Sequence, residues 1–157
     1  SLYTPEEAEE VLRLSRKAPL LDALQIPFNL FDRRFLENEL LDKLKAAGFM
    51  LFIRSVYLQG LLFLSPDTLP SALREAAPLL RRLQSLSSET GVGLREMALG
   101  YAHERAAPDS ILIGVETVTQ LRENLDAYEK RLPSGLIEEI DHTFSKVPTP
   151  VLDPRKW

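Results

Sequence analysis

Residues 111–124, Ile-Leu-Ile-Gly-Val-Glu-Thr-Val-Thr-Gln-Leu-Arg-Glu-Asn, combine residue types suited to binding an anion. The apolar start predicts a short buried strand over residues 111–113, Gly114 predicts a turn, and the next residues predict a helix over 117–130. A strand that ends at a glycine and opens into a helix places unpaired backbone N–H groups at the positive end of the helix dipole. The segment therefore predicts a phosphate-binding turn.

The polar residues near this turn have a second interpretation that involves no ligand. Glu123 and Asn124, taken alone, are typical of a solvated helix face, and Glu116 is typical of an acid that stabilises the first turn of a helix. Gln25, in a second buried strand, is typical of a hydrogen-bonded core amide. Residue types alone do not decide between these structural roles and a role in ligand binding.

Histidine and cysteine offer little chemistry in this chain. There is no cysteine, which excludes disulfides and thiolate catalysis, and His103 and His142 are the only imidazoles. His103 lies in a helical pattern and His142 follows Asp141, positions typical of surface or locally bonded histidines. We expect no metal site.

Hydrophobic periodicity places these residues on alternating helices and strands. Thr4-Pro5-Glu6-Glu7 is a helix start with a capping box between Thr4 and Glu7. Helices are predicted over residues 5–17, 35–47, 72–76, 79–89, 94–105, 117–130 and 136–144. Buried strands are predicted over residues 24–29, 49–56 and 111–113. Residues 57–71, rich in glycine and proline, predict a long loop, and long loops are often functional.

This order predicts an α/β fold of parallel strands joined by right-handed helical crossovers. Doubly wound sheets and barrels both fit the pattern. Three strands, with Ser1 and Leu2 at most as the remnant of a fourth, cannot close a barrel. Two sheet edges are then left open. No linker or repeat divides the chain, so we expect one domain over residues 1–157.

Composition excludes several classes of partner. The chain is 45% hydrophobic and 27% charged, with a formal net charge of −4 at pH 7. An acidic balance without clustered Lys and Arg argues against nucleic acid or an anionic membrane. No apolar run approaches the roughly 18 residues of a membrane-spanning helix. We expect a soluble, cytoplasmic protein.

Four segments together resemble a known family, the aldo-keto reductases, which are (β/α)8 TIM barrels. They are Ser-Leu-Tyr-Thr-Pro-Glu-Glu at 1–7, Leu-Gln-Ile-Pro-Phe-Asn-Leu-Phe-Asp-Arg at 24–33, Ile-Arg-Ser-Val-Tyr-Leu-Gln-Gly-Leu-Leu at 53–62, and residues 111–124. In order and spacing they are similar to barrel strands five to eight, and residues 153–157 resemble the family's tail. Because such a barrel needs about 250 residues, the resemblance implies the C-terminal half of a barrel, a fragment of a longer enzyme.

The resemblance also implies the chemistry. The family transfers hydride between a nicotinamide cofactor and a carbonyl, using Tyr, Lys, Asp and His from the first half of the barrel. None of these four has a counterpart here, so the resemblance implies no catalytic residue and an inactive chain. The sequence indicates no tyrosine paired with a Lys or His, and a tyrosine that acts as a general acid needs such a partner to lower its pKa.

What this half supplies in the family is the cofactor cradle. By resemblance, Ser1 and Gln25 bond the nicotinamide carboxamide, and Arg54 takes the place of an aromatic that stacks on the nicotinamide ring, a role that a guanidinium plane can fill. The loop that wraps the pyrophosphate is formed by Ser55, Tyr57, Gln59 and Gly60. Leu2 replaces the Asn that many members carry beside Ser1.

Residues 111–124 correspond, by the same resemblance, to the part of the family's site that binds the adenosine of the cofactor. By resemblance, Gly114, Val115 and Glu116 form the turn at the adenosine phosphate, and the adenine is faced by Gln120, Glu123 and Asn124. NADPH-preferring relatives carry Lys or Arg in that turn. Glu116 would repel a 2′-phosphate but accept a hydrogen bond from a 2′-hydroxyl, so the cofactor is NADP or NAD, with Glu116 favouring NAD. Arg122 is the alternative partner for a 2′-phosphate.

Two functions from different classes follow. The first is the cofactor-binding half of a reductase, whose partners are the nicotinamide dinucleotide, the missing N-terminal half-barrel and, in the intact enzyme, a small carbonyl substrate. The second is a half-barrel interaction module that completes its sheet with a second copy or another chain. A flavodoxin-like domain would need strands that the sequence does not show.

Overall fold

Three parallel strands organise the chain. In the computed structural model, which describes residues 1–15 and 21–157, β1 (Ala23–Pro27) pairs with β2 (Met50–Arg54), and β2 pairs with β3 (Ser110–Ile111). All pairings are parallel and the order is β1-β2-β3. The register sets Gln25 opposite Phe52 and Ile53 opposite Ile111. The predicted α/β class with parallel strands is confirmed.

Ser1 and Leu2 run along the outer edge of β1 without forming a strand. The Leu2 N–H donates to the Gln25 carbonyl oxygen at 2.8 Å. In the described residues, this hydrogen bond is the only backbone pairing of Ser1 and Leu2 with the sheet, so the two residues do not form a fourth strand.

Seven α-helices surround the sheet in the described residues. They are α1 (Pro5–Ser15), α2 (Leu40–Ala46), α3 (Ala77–Thr90), α4 (Leu94–Ala106), α5 (Val118–Tyr128), α6 (Leu136–Thr143) and α7 (Thr149–Leu152). Short 3-10 helices lie at Arg34–Glu39, Leu61–Phe63, Ser71–Ala76 and Pro154–Lys156. Within this part of the chain, none of the helices has both the length and the apolar character needed to cross a membrane.

The start of α1 confirms the predicted capping box. Thr4 Oγ1 accepts a hydrogen bond from the Glu7 N–H at 3.3 Å, and Glu7 Oε2 accepts one from the Thr4 N–H at 3.2 Å. The predicted end of this helix, near residue 17, lies outside the described residues.

The helix predicted over residues 35–47 is divided. Asn38 and Glu39 adopt left-handed backbone conformations, with φ of 53° and 56°. Asn visits this region more readily than most residues because its short polar side chain bonds locally. Phe35 before the break and Leu40 after it are both buried. Apolar spacing alone did not reveal the break.

The strand predictions were partly wrong in length and burial. The predicted strand 49–56 ends at Arg54 because Ser55 has a φ of 60°. The predicted buried strand 111–113 is a two-residue strand whose next residue, Leu112, is 37% exposed. Among the described residues β3 pairs with β2 alone, so its other edge makes no sheet hydrogen bonds. Helix α7 and the 3-10 turn after it were not predicted.

The core places aromatic side chains between the sheet and the helices. Phe28 stacks on Tyr101 of α4 with ring centroids 5.8 Å apart. The Tyr101 hydroxyl donates to Asp141 of α6, which also accepts from Arg33 and Arg105. Burial alone would raise the pKa of Asp141, but these three hydrogen bonds outweigh burial and lower it. The cluster fixes α6 to α4 and to the loop after β1.

Candidate functional site

A cavity of about 650 Å³ lies at the carboxyl ends of β2 and β3. It is lined by residues 54–57, 59, 60 and 63 after β2, residues 112–116 after β3, residues 120 and 124 of α5, and Arg95 of α4. Ligand pockets commonly measure roughly 300–1,000 Å³, and open α/β sheets bind ligands outside the carboxyl ends of their strands. Size and position therefore both suit a ligand.

The wall after β2 is a strained loop held by buried side chains. Ser55, Leu58 and Gln59 have φ of 60°, 48° and 56°, a region that costs an L-residue about 1–2 kcal/mol. Gly60 follows at 82°, where glycine is unstrained. Leu58 is 1% exposed, so its burial in the core offsets the strain. Backbone strain of this kind clusters at binding sites.

Asn29 anchors this loop from below. Its Oδ1 accepts hydrogen bonds from the Phe31 and Asp32 N–H groups, both at 2.9 Å, and its Nδ2 donates to the Ser55 carbonyl oxygen at 3.1 Å. Asn29 is fully buried. One amide therefore fixes the loop after β1 and the left-handed turn after β2 against each other.

The wall after β3 is held by local hydrogen bonds. Thr117 caps α5 by accepting from the Gln120 N–H at 3.1 Å, and the Glu116 N–H donates to Gln120 Oε1 at 2.8 Å. The prediction that backbone donors stand unpaired at this turn is thus wrong for these two N–H groups. A Cβ at Gly114 would meet nothing within 4 Å, so glycine leaves open space there.

Arg95 joins the two walls, and sequence reasoning missed it. Its Nη1 donates to Asn124 Oδ1 and its Nη2 bonds Glu123 Oε2 at 2.9 Å. Its guanidinium carbon lies 5.6 Å from the Tyr57 ring centroid and 5.2 Å from that of Phe63. A basic residue in the first turn of a helix opposes the helix dipole. That mismatch was the available signal that Arg95 serves a tertiary contact.

Tyr57 completes the link between the walls. Its hydroxyl donates to Asn124 Oδ1 at 2.8 Å, so this buried amide oxygen accepts from both Tyr57 and Arg95. Burial raises the pKa of Tyr57, and the nearby Arg95 guanidinium opposes part of that rise. The phenol is therefore protonated at neutral pH and able to donate.

Arg54 forms the other end of the cavity and contacts the N-terminal segment. Its Nε donates to Ser1 Oγ at 3.3 Å, its Nη1 to Ser55 Oγ at 3.1 Å and its Nη2 to the Leu2 carbonyl oxygen at 2.9 Å. Its guanidinium carbon lies 4.5 Å from the Tyr3 ring centroid. All three acceptors are uncharged oxygens, so these bonds leave the positive charge of Arg54 uncompensated.

Comparison with known proteins decides the family. A model of the aldo/keto reductase family matches residues 1–144. The chain belongs to the aldo/keto reductase family.

Solved structures agree on the fold. The aldo-keto reductase AKR11C1 from Bacillus halodurans in its apo form is similar over 96% of this chain and 52% of that chain, with 21% identity and a TM-score of 0.68. Its holo form gives 96% and 51%, with 20% identity and a TM-score of 0.67. The chain thus spans about half the length of these aldo-keto reductases.

Most residues predicted to hold a cofactor line the 650 Å³ cavity. They are Arg54, Ser55, Tyr57, Gln59, Gly60, Gly114, Val115, Glu116, Gln120 and Asn124. Ser1 and Glu123 do not line the cavity themselves. Ser1 accepts a hydrogen bond from Arg54, and Glu123 accepts one from Arg95. Gln25 is half-buried in β1 and, like Arg122, does not line the cavity.

Proposed function

We propose that this chain is the strand-five-to-eight half of an aldo-keto reductase barrel and that residues 1–157 form one domain that binds NAD or NADP. The observation that carries the proposal is the 650 Å³ cavity, which brings the loop after β2, the turn after β3 and the start of α5 to one place. When bound, the nicotinamide ring supplies the hydride that reduces a carbonyl to an alcohol.

The residues present fit a dinucleotide. Of the two guanidinium groups in the cavity lining, Arg95 is paired with Glu123, whereas Arg54 bonds uncharged oxygens and its charge can attract a pyrophosphate. Tyr57 and Phe63 supply aromatic faces. In this proposal the nicotinamide lies at the Arg54 end, where Ser1 and Gln25 take its carboxamide.

The other end of the cavity holds the adenosine. There Gly114, Val115 and Glu116 meet its phosphate, and Gln120, Glu123 and Asn124 face the adenine. The charges at this end favour NAD over NADP. Glu116 and Glu123 bring two carboxylates, and Arg95 is already paired with Glu123. A 2′-phosphate would approach a net negative surface.

The test is a calorimetric titration of the chain with NAD⁺ and with NADP⁺. We expect NAD⁺ to bind more tightly. Glu116→Lys should raise the affinity for NADP⁺ roughly tenfold, because a charge-assisted hydrogen bond replaces a repulsion. Glu129→Lys, the same charge change beyond the end of α5, is the matched control and should change neither affinity. Binding of neither nucleotide would overturn the proposal.

We further propose that the chain alone does not catalyse reduction, because by resemblance the family's catalytic Tyr, Lys, Asp and His belong to the first half of the barrel. The expected result is no NADH or NADPH oxidation with small aldehydes above background. Turnover by the chain that scales with its concentration would contradict this.

A second candidate, an interaction module, has its own supporting observation. On the open side of β3 and along α5, five large apolar side chains are exposed: Leu112, Val118, Leu121, Leu125 and Tyr128. Exposed apolar area beside an uncovered strand edge favours pairing with the missing half-barrel or a second copy. Sedimentation equilibrium tests this function, since a strictly monomeric chain at high concentration would exclude self-pairing.

A further inference from the structure

A second, smaller cavity adjoins the first. It measures about 150 Å³, lies at the carboxyl ends of β1 and β2, and is closed by the C-terminal residues Leu152 to Arg155. It shares Arg54, Ser55 and Gln59 with the 650 Å³ cavity. The two cavities therefore have a common wall.

Three guanidinium groups line this small cavity, from Arg34, Arg54 and Arg155. Two of them are aligned by one aromatic ring. The guanidinium carbons of Arg54 and Arg155 lie 4.5 Å and 4.2 Å from the centroid of Tyr3, which also lines the cavity. The fold thus brings together positively charged side chains that are distant in the sequence.

Carboxylates hydrogen-bond two of these three guanidinium groups. Arg34 uses Nε and Nη2 for Asp32, and Arg155 uses the same two nitrogens for Asp153, with all four distances between 2.8 and 2.9 Å. The Nη1 of each makes no hydrogen bond to any residue that the structure describes. Arg54 bonds uncharged oxygens. Glu6 and Glu7, which do not line the cavity, also act electrostatically on Arg34 and Arg155. Arg54 is thus the guanidinium without a carboxylate partner among the described residues, and the two Nη1 groups are spare donors.

We propose that this cavity binds the carboxylate of the carbonyl substrate, so that the substrate class is an oxo acid. The inference rests on the proposed function, because it places the substrate beside the cofactor cavity. A volume of about 150 Å³ lies below the roughly 300–1,000 Å³ of pockets for drug-sized ligands, which suits a carboxylate and the few atoms attached to it. It is too small for a nucleotide.

The geometry favours a carboxylate over a neutral group. A carboxylate accepts from two guanidinium groups at once, and such charge-assisted bonds are about twice as strong as neutral ones. Arg54 is the charged group that both cavities share, so it adjoins the acid group of the substrate on one side and the cofactor on the other. Asp153, held by Arg155, competes with the substrate for the same guanidinium.

The test is a calorimetric titration of the 157-residue chain at low salt with pyruvate and with pyruvamide, its neutral analogue, each with and without saturating NADH. We expect pyruvate to bind at least tenfold more tightly than pyruvamide. Arg155→Gln should remove most of that difference. Asp153→Asn should increase pyruvate affinity, because the amide oxygen can still accept from the Arg155 N–H but no longer neutralises its side chain.

Arg81→Gln is the matched control, since Arg81 is an exposed arginine of α3 that pairs with Asp67 of the preceding loop, and it should leave pyruvate affinity unchanged. Equal binding of pyruvate and pyruvamide would overturn the proposal. So would a loss of NADH affinity, without loss of pyruvate affinity, in Arg155→Gln, which would assign the arginine to the cofactor.

The two proposals fail separately. NADH binding without pyruvate binding overturns the oxo-acid site alone. Pyruvate binding that follows the variant pattern without NADH binding supports the anion site and overturns the cofactor proposal.

Discussion

The two walls of the large cavity are built by different physics. The loop after β2 holds three left-handed non-glycine residues, and its Val56, Leu58, Leu61 and Leu62 are buried. The turn after β3 is exposed throughout residues 114–119 and is shaped by Thr117 and Gln120 within one helix turn. One wall is fixed by the protein core, and the other by its own sequence. A ligand therefore meets one preformed surface and one that local hydrogen bonds alone maintain.

The largest effect should follow from removing the anchor of the β2 wall. Asn29→Ala leaves the buried Phe31 and Asp32 N–H groups without partners, and each such loss costs about 1–3 kcal/mol. The Ser55 carbonyl oxygen loses the Asn29 bond but still accepts from the Leu58 N–H at 2.9 Å. We expect the free energy of unfolding to fall by at least about 2 kcal/mol, measured by urea denaturation. Asn38→Gly, at an exposed left-handed position that glycine adopts without strain, is the control and should cost less than about 1 kcal/mol. Similar losses in both variants would contradict the anchor role.

The β3 wall should respond less. Thr117→Ala removes the cap of α5, which costs about 1 kcal/mol. Thermal unfolding should shift by roughly 2–4 °C. Thr119→Ala, two residues later and exposed, removes no cap and should be neutral or slightly stabilising. If the two variants unfold alike, local capping does not hold this wall.

The link between the walls should be weaker still. Tyr57→Phe deletes one hydrogen bond to Asn124, while Arg95 continues to donate to the same oxygen. The expected cost is about 0.5–1 kcal/mol. Hydrogen exchange should show faster exchange in α5 around Asn124 and unchanged exchange in β2. A global change in exchange would mean that the walls are not separate units.

The smallest effect should be stabilising. Gln59→Gly relieves a left-handed strain of about 1–2 kcal/mol and loses roughly 0.5–1 kcal/mol to the greater freedom of glycine in the unfolded chain. The net gain should be about 0.5 kcal/mol in a denaturation curve. Gln84→Gly, the same change inside α3, should instead destabilise by about 1 kcal/mol. A loss at both positions would show that Gln59 carries no strain.

Much of the fold was predictable because its signals are local. The capping box at Thr4 and Glu7, the helix stop at Gly91 and the strand around Ile53 follow from neighbouring residues. The break at Asn38 and the exposure of Leu112 were not predictable. They depend on which side chains pack into the core and on which strand edge is left unpaired. The hydrophobic periodicity of the sequence indicates neither.

The candidate site divides in the same way. The sequence by itself determined the start of α5 after Gly114, because the Thr117 hydroxyl and the Gln120 N–H that it caps lie within four residues. Only the tertiary structure decided that Arg95 bridges Tyr57, Glu123 and Asn124, and that Arg34, Arg54 and Arg155 surround one small cavity. These groups meet because parallel strands end at one edge of the sheet and the chain's last residues return to it, so their proximity arises from packing between distant segments.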